Sequence, residues 1–261
     1  MRTALTIAGS DPSGGAGVQG DLKTFTAHGV YGMAVITALT AQNTLGVRGV
    51  HDVPPDFVSA QLDAVFEDMP VHAAKTGMLS VPATIEAVAA ALERYEPPFL
   101  VVDPVMVSTS GHALLSDDAV DTLARRLFPM ATIITPNLPE AERLCGRPLP
   151  DPAAMRDAAR ELCARGADSV LIKGGHLAGA ELVDVLLHEG AFHEYRAARI
   201  DTPHTHGTGC ALASSIAAGL AHGRPLVDAV ADARRFVRHG LANPIVLGRG
   251  NNPLNHLHGR D

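Results

Sequence analysis

Short apolar runs alternate along the whole chain with stretches of helical period, and this alternation limits the fold more than any other feature of the sequence. The runs are Ala4–Ala8, Met33–Thr40, Ala73–Thr76, Phe99–Val102, Thr132–Thr135 and Val170–Lys173. Each is mostly apolar and ends near small or polar residues, as strands buried between two helix layers do. The helical stretches are Pro55–Met69, with Phe57, Leu62, Val65 and Phe66 near one face, then Val81–Tyr95, Asp117–Phe128 and Asp151–Arg165. Asp117 and Asp151 are expected as N-caps and Gly166 as a C-cap. Val183–His188 and Glu194–Ile200 read as an antiparallel pair around Glu189-Gly190, and Thr208–His222 and Leu226–Leu241 as two closing helices. No linker, repeat or low-complexity segment intervenes. The pattern predicts one α/β domain over residues 1–261, with a mostly parallel central sheet and helices on both faces. Ligands of such a sheet sit at the carboxyl ends of its strands.

Composition narrows the function classes. Lys and Arg number 21 against 28 Asp and Glu, for a formal net charge of -7. This lacks the basic face of a nucleic-acid protein, so no nucleic-acid partner is expected. No apolar run is long enough to span a bilayer, and the first residues turn polar too soon for a secretory leader, so no membrane partner is expected either. Cys145, Cys163 and Cys210 are widely spaced and lack a CxxC, which suggests neither a disulfide framework nor a zinc site. A cytoplasmic location follows as an expectation.

The strand ends carry the candidate chemistry. The first strand runs into Gly9-Ser10-Asp11-Pro12-Ser13-Gly14-Gly15-Ala16-Gly17. Gly9 and Gly14 have P-loop spacing, but Gly15 and Ala16 follow where Lys and Ser/Thr are required, and there is no GxGxxG. The small residues still permit close approach of a ligand to backbone. Gln42, after the second strand, offers a donor and an acceptor to a heterocycle edge, or satisfies a loop. Asp103, after the fourth, suits a Mg²⁺ contact or a turn cap. Asn137 and Glu140 stand three apart at a helix start, where a capping box and a metal-facing pair are equally open. Lys173, before Gly174-Gly175-His176, suits a phosphate or a snorkelling surface lysine. Met78 and Val105 are apolar strand-end residues, core or pocket wall. The His204/His206 and His256/His258 pairs lack a third ligand at metal spacing and are read as non-metal.

The stretch Thr205-His206-Gly207-Thr208-Gly209-Cys210 opens a helix. Gly207, Thr208 and Gly209 can aim consecutive N–H groups at one anion, with the helix dipole behind them. Cys210 falls in the first turn. A dipole lowering its pKa by one or two units would leave roughly 25–75% thiolate at neutral pH, enough for a base or a nucleophile. Thr208 and Leu212 stand where a hydrolase nucleophile elbow needs glycines, so that pattern fails.

Taken together, "LTIAGSDPSGGAGVQGDLKTF", "VITALTAQNT", "DPVM", "ITPNLPEA", "IKGGH" and "THGTGC" resemble the hydroxymethylpyrimidine/phosphomethylpyrimidine kinases of thiamine biosynthesis, in the right order over nearly the whole chain. The resemblance implies a ribokinase-like three-layer sandwich. It also implies Mg-ATP-dependent phosphorylation of 4-amino-5-hydroxymethyl-2-methylpyrimidine and then of its monophosphate, and a homodimer. It makes Cys210 the base facing the hydroxymethyl group, beside the anion hole of Gly207 to Gly209. It gives Gln42 to the aminopyrimidine, and Gly9, Asp21, Met78 and Val105 to the pyrimidine pocket or its rim. Asn137 and Glu140 would arrange Mg²⁺ and phosphate, Lys173 and Thr208 would meet ATP, and Asp103 would lie near the metal. One departure is Gly248-Arg249-Gly250-Asn251-Asn252-Pro253, where the family tends to Gly-x-Gly-x-Gly-Pro. Asparagine tolerates left-handed φ, so the turn is expected to survive. The chain ends soon after its last helix, so no fused thiamine-phosphate synthase is expected. Rivals are a pyridoxal kinase of the same fold, a cysteine-nucleophile hydrolase or transferase, and a nucleotide-binding protein without turnover.

Overall fold

The computed structural model describes residues 1–107, 114–175, 177 and 179–257. His176 and His258, named above, lie outside the described residues. Nine strands form one sheet: β1 (Thr3–Ser10), β2 (Tyr31–Asn43), β3 (Gly46–Asp52), β4 (Ala73–Thr76), β5 (Leu100–Val102), β6 (Ile133–Ile134), β7 (Ser169–Ile172), β8 (Glu181–His188) and β9 (Ala191–Ala198), in the order β3-β2-β1-β4-β5-β6-β7-β8-β9. The six strands from β2 to β7 are mutually parallel, while β3, β8 and β9 are antiparallel additions at the edges.

Strand pleating sorts the core into two layers. Leu5 and Ile7 of β1, Leu100 and Val102 of β5 and Val170 and Ile172 of β7 face one side. There they meet α2 (Pro55–Phe66), α3 (Pro82–Tyr95), α4 (Asp117–Leu127), α5 (Leu138–Cys145) and α6 (Pro152–Ala164). The alternate residues Ala4, Val101 and Leu171 face α1 (Gly17–Ala27), α7 (Thr208–Ala221) and α8 (Leu226–Ala242). Both strand faces are apolar because both are covered, which is why the strands read as continuous runs rather than alternating ones. The result is the three-layer, ribokinase-like α/β arrangement. The chain leaves β1 toward β2 on one side and returns to β4 on the other, so the crevice at the carboxyl ends of β1 and β4 is its switch point.

Several expectations are corrected. β3 has no counterpart in the sequence reading; it is an exposed edge strand broken by Gly46 and Gly49, with no apolar run to mark it. β2 extends to Asn43, so Gln42 lies within the strand and not beyond its end. The N-cap of α4 is Ser116, whose Oγ accepts from Ala119 N, and Asp117 is the first helical residue. Asp151 does cap α6, and Gly166 takes the left-handed position one residue past the C-cap Arg165.

The 248–253 turn survives for a different reason than expected. Neither Asn251 nor Asn252 has positive φ. Their side chains do the work instead. Asn251 Oδ1 accepts from Thr205 N at 2.8 Å and His206 N at 3.2 Å. Asn252, 1% exposed, accepts from Leu247 N and Gly248 N and donates to the carbonyls of Gly248 and Gly250. Glycine, which would be benign at a left-handed position, therefore fails here. Asn252→Gly is expected to lower unfolding free energy by roughly 1–3 kcal/mol through buried groups left unsatisfied, measured by urea denaturation. An unchanged or raised stability would mean that backbone conformation alone holds the turn.

Candidate active site

A cavity of about 710 Å³ opens at the carboxyl ends of the parallel strands. Gly9 and Gln42 are the penultimate residues of β1 and β2, Met78 follows β4, and Asp103 and Val105 follow β5. Asn137 and Glu140 open α5 after β6, Lys173 follows β7, and Gly207 to Cys210 open α7. All of these line the one cavity. Asp21 does not. It is fully buried on α1, beneath the cavity floor, and accepts hydrogen bonds from Thr6 Oγ1, Lys75 Nζ and Ser214 Oγ.

The helix start is wedged against the first loop. Gly207 has φ 82° at the N-cap of α7, and a Cβ there would come within 1.9 Å of Gly15 O. The adjacent N–H groups of Gly209 and Cys210 have no acceptor four residues back inside the helix and face the cavity end. Lys173 Nζ and Asp103 Oδ2 stand 3.4 and 3.8 Å from where a Cβ of Gly209 would be. A phosphate at this point would meet backbone N–H groups, a helix N-terminus and an ammonium together.

Asp103, Lys173 and Glu140 form the polar wall. Lys173 Nζ donates to Asp103 Oδ1 at 3.0 Å, and Thr135 Oγ1 donates to the same oxygen. Burial alone would lower the Lys173 ammonium, but Asp103 and Glu140 hold it above its ordinary value, so it stays charged. Glu140 closes a true capping box: Asn137 Oδ1 accepts from Glu140 N, and Glu140 Oε2 accepts from Asn137 N at 2.8 Å. Its other oxygen accepts from Met106 N. The cap does not spend the charge, because the carboxyl also faces Lys173 and Asp103. Burial pushes it up to about 7, with Lys173 pulling down and Asp103 pushing up.

Cys210 departs from its expected ionisation. Burial pushes the thiol up to about 11, and Asp21 and Asp103 add to this. Lys75 and the Gly17 N–H pull the other way without overcoming it. The resting group is a neutral thiol. Removal from water and two carboxylates outweigh the helix dipole on which the thiolate expectation rested.

Sequence reasoning missed a second cluster. His206 Nε2 lies 2.8 Å from Asp11 Oδ2 and 3.2 Å from Gln42 Nε2. Burial would raise the Asp11 carboxyl, but His206 and Ser13 hold it down at about 2, so Asp11 is ionised and His206 Nε2 carries a proton toward it. Thr40 Oγ1 donates to Ser10 O and contacts the Gln42 amide at 3.4 Å. With those protons committed, the consistent amide orientation turns the oxygen of Gln42 to His206 and its NH₂ to Thr40 and the cavity. The Asp-Pro-Ser-Gly run signals an Asx turn at Asp11, and Ser13 N does bond to Asp11 Oδ1; nothing local signals His206. The cavity is also lined by Leu182, Ile200, Val237 and Leu241, interspersed with Arg234, Arg238 and Asp184, of which Arg234 and Asp184 form an ion pair. Arg199 holds the neighbouring loop through the carbonyls of Gly175, Leu177 and Gly179.

Fold and site together define a phosphotransferase of the ribokinase-like class. The sequence pattern of the family described as phosphomethylpyrimidine kinase matches residues 11–255, and the chain belongs to that family. A Rhizobium meliloti hydroxymethylpyrimidine/phosphomethylpyrimidine kinase is 50% identical over 258 residues, covering 98% of this chain and 97% of its own. The thiamine biosynthesis bifunctional protein ThiED of Geobacter sulfurreducens is 53% identical over 255 residues, or 98% of this chain. The chain spans about half of that relative, 52% of its length. Among solved structures, an ADP complex of Bacillus subtilis pyridoxal kinase superposes with a TM-score of 0.92 at 37% identity, over 100% of this chain and 99% of that one.

Glu140 gives a pH signature with a defined sign. Its carboxyl titrates higher in the folded protein, about 7 against an ordinary 4.5, so the native state holds the extra proton in between. The stability this contributes is full below about 4.5 and is lost as pH rises through about 7. In Mg²⁺-free buffer, wild type is expected to lose urea stability from pH 5 to 7.5 more steeply than Glu140→Gln. Parallel profiles would remove the raised carboxyl from the account.

Proposed function

We propose that the chain is one kinase domain over residues 1–261. It transfers the γ-phosphoryl group of ATP to 4-amino-5-hydroxymethyl-2-methylpyrimidine, and then phosphorylates the monophosphate to the diphosphate for thiamine diphosphate synthesis. The observation that carries this reading is the convergence on one cavity of the Gly207–Cys210 helix start with Lys173 at one end and Gln42 with Met78 at the other. The named activity of the full-length relatives supports the substrate.

In this reading the aminopyrimidine lies against Gly9, Met78 and Val105, and Gln42, oriented by His206 and Asp11, pairs with its polar edge. The adenosine lies near Leu182 and Val237, among the arginines of α8. The N–H groups of Gly209 and Cys210 and the Lys173 ammonium bind the transferred phosphate, while the Thr208 N–H and hydroxyl, expected to meet ATP, both donate to Thr205 O and hold the turn before α7. Asp103 and Glu140, with Asn137 beside them, suit Mg²⁺. Both carboxylates are buried, Asp103 Oδ1 is already taken by Lys173 and Thr135, and among the described residues no third acidic or histidine ligand joins them. An ion there would complete its shell with waters and phosphate oxygens, as Mg²⁺ prefers. When bound, it would supply neutralisation of the phosphate charge. The substrate hydroxyl oxygen bonds to the γ-phosphorus as the bond to ADP breaks, and the hydroxyl proton passes to the sulfur of ionised Cys210. Positioning and electrostatics supply the rest. No helix among the described residues is long and apolar enough to cross a membrane; we place the protein in the cytoplasm. The exposed Leu39, Val50 and Phe57, near edge strand β3, support a homodimer.

A second reading, pyridoxal kinase, is favoured by the close superposition on the Bacillus subtilis enzyme. Pyridoxal is also an aromatic N-heterocycle with a hydroxymethyl group. Incubating the pure protein with Mg-ATP and each heterocycle, and weighing the products by mass spectrometry, separates the two. Mono- and diphosphate from the pyrimidine alone are expected; phosphate on pyridoxal alone would install the second reading.

The thiol separates the two steps. The alcohol must lose a proton, and a positioned base is worth about 10²–10⁴-fold. The monophosphate, with a second pKa near ~6, is already ionised at pH 7.5. Cys210→Ala is therefore expected to lose most kcat/KM on the alcohol and a smaller fraction on the monophosphate. Wild-type kcat/KM on the alcohol is expected to climb with pH toward about 11, with the variant flat. Equal fractional losses on both substrates would make Cys210 a spacer and not a base.

A further inference from the structure

Strand β8 carries an acid where its pleat calls for an apolar residue. Val183, Val185 and Leu187 pack into the layer of α2 to α6, while Leu186 packs with α7 and α8. By alternation Asp184 faces this second side, at the wall of the cavity. Its carboxylate is divided between two donors: Oδ1 accepts from Gly174 N at 2.8 Å, and Oδ2 from Arg234 Nε of α8 at 2.6 Å. The Asp184 and Arg234 side chains are only 15% and 13% exposed. An ion pair taken this far from water returns little stability, and apolar residues of similar volume fill such a place as well. Packing is therefore a weak reason for the pair.

What the pair holds is the root of Lys173. Lys173 N donates to Pro136 O at 2.9 Å, just before α5, and the next N–H, that of Gly174, donates to Asp184. The Lys173–Gly174 segment is thus pinned from both sides, between the approach to α5 and β8. The fit is close: a Cβ on Gly174 would lie 1.9 Å from Val183 O. Arg234 is fixed in turn. Its Nη2 donates to Tyr195 O at 3.0 Å, on the residue of β9 that pairs with Asp184, and its Cζ lies 5.1 Å from the centre of the Tyr195 ring. With these groups committed, the guanidinium is an anchor and not a free anion ligand. Val237, Arg238 and Leu241, one and two turns further along α8, line the cavity beside it.

We propose that Asp184 is a positioning residue for Lys173, fixing the peptide from which the ammonium is aimed, and that Arg234 holds Asp184 in that role while registering the Lys173 segment against the cavity face of α8. This rests on Lys173 being a ligand of the transferred phosphate. A lysine is a point charge on a long flexible stem, so its aim depends on where that stem is rooted. Here Nζ stands 3.0 Å from Asp103 Oδ1 and 3.4 Å from where a Cβ of Gly209 would be. Phosphate affinity then depends on two side chains that touch no phosphate. The nucleoside, held by the apolar side chains nearby, does not depend on them.

The test reads binding, without turnover. Dissociation constants of a non-hydrolysable ATP analogue with Mg²⁺, and of adenosine, are measured by titration calorimetry. Asp184→Ala is expected to weaken the analogue by about 2- to 30-fold, the range for a residue that acts through others, and to leave adenosine unchanged. In a Lys173→Met background, Asp184→Ala should weaken the analogue no further, because the group it positions is gone. A merely structural pair would loosen the wall for both ligands alike. Equal losses on analogue and adenosine, additive losses in the double variant, or an unchanged analogue affinity each overturn the proposal. Should Asp184→Ala not fold, Arg234→Met takes its place in the same comparisons, and the same outcomes decide. A Lys173→Met variant that binds the analogue as wild type does would remove Lys173 as a phosphate ligand, and the proposal with it. A weakened Lys173→Met beside an unaffected Asp184→Ala would remove the proposal alone.

Discussion

The contact between the start of α7 and the loop after β1 is the constraint on which the rest of the site depends. Gly207 sits so close to the carbonyl of Gly15 that no side chain fits between them. On one side of this contact His206 reaches Asp11 and Gln42, and on the other Gly207 O accepts from Ala211 N in the first turn of α7 that carries Cys210. Residues from opposite ends of the chain are thereby fixed within one hydrogen-bond network. The heterocycle end, the thiol and the anion-binding helix start cannot move independently, and a reaction that depends on positioning needs that rigidity.

The electrostatics follow the same economy of parts. Asp103 and Lys173 are paired at rest, so neither charge is left bare in the buried wall. Glu140 has both oxygens on backbone N–H groups, yet its carboxyl responds to the Asp103–Lys173 pair. A cap and a charge sensor are therefore the same group, and the two readings that its spacing left open are compatible. The thiol lies one layer further in, where desolvation decides its state.

Much of this was legible in the sequence, for physical reasons that also explain the failures. Strands such as Ala73–Thr76 were visible because both their faces are covered and hence apolar. β3 was invisible because an exposed edge strand needs no apolar run. Asn137, Glu140 and Lys173 were recoverable because each follows a strand end and strand ends of a parallel sheet converge, Gln42 because it lies in the last residues of β2 before its turn, and the Gly207–Cys210 run because its glycines open a helix. Asp21 was misplaced because its motif lies next to the site in sequence, while the turn of α1 carries it under the floor. His206, Asp11 and Lys75 gain meaning only from partners 195, 195 and 54 residues away, which no local pattern encodes. The ionisation of Cys210 failed for the same reason: the helix dipole is local and predictable, whereas the burial of the sulfur, and the carboxylates that add to it, come from distant segments.

That the start of α7 is the seat of the transferred phosphate is the central claim, and a structure determined with a non-hydrolysable ATP analogue and Mg²⁺ tests it most directly. The account predicts the γ-phosphate within hydrogen-bond distance of the N–H groups of Gly209 and Cys210, with Lys173 beside it and the adenine near Leu182 and Val237. A γ-phosphate bound instead by the Gly14–Gly17 loop, with the start of α7 left free, would contradict it.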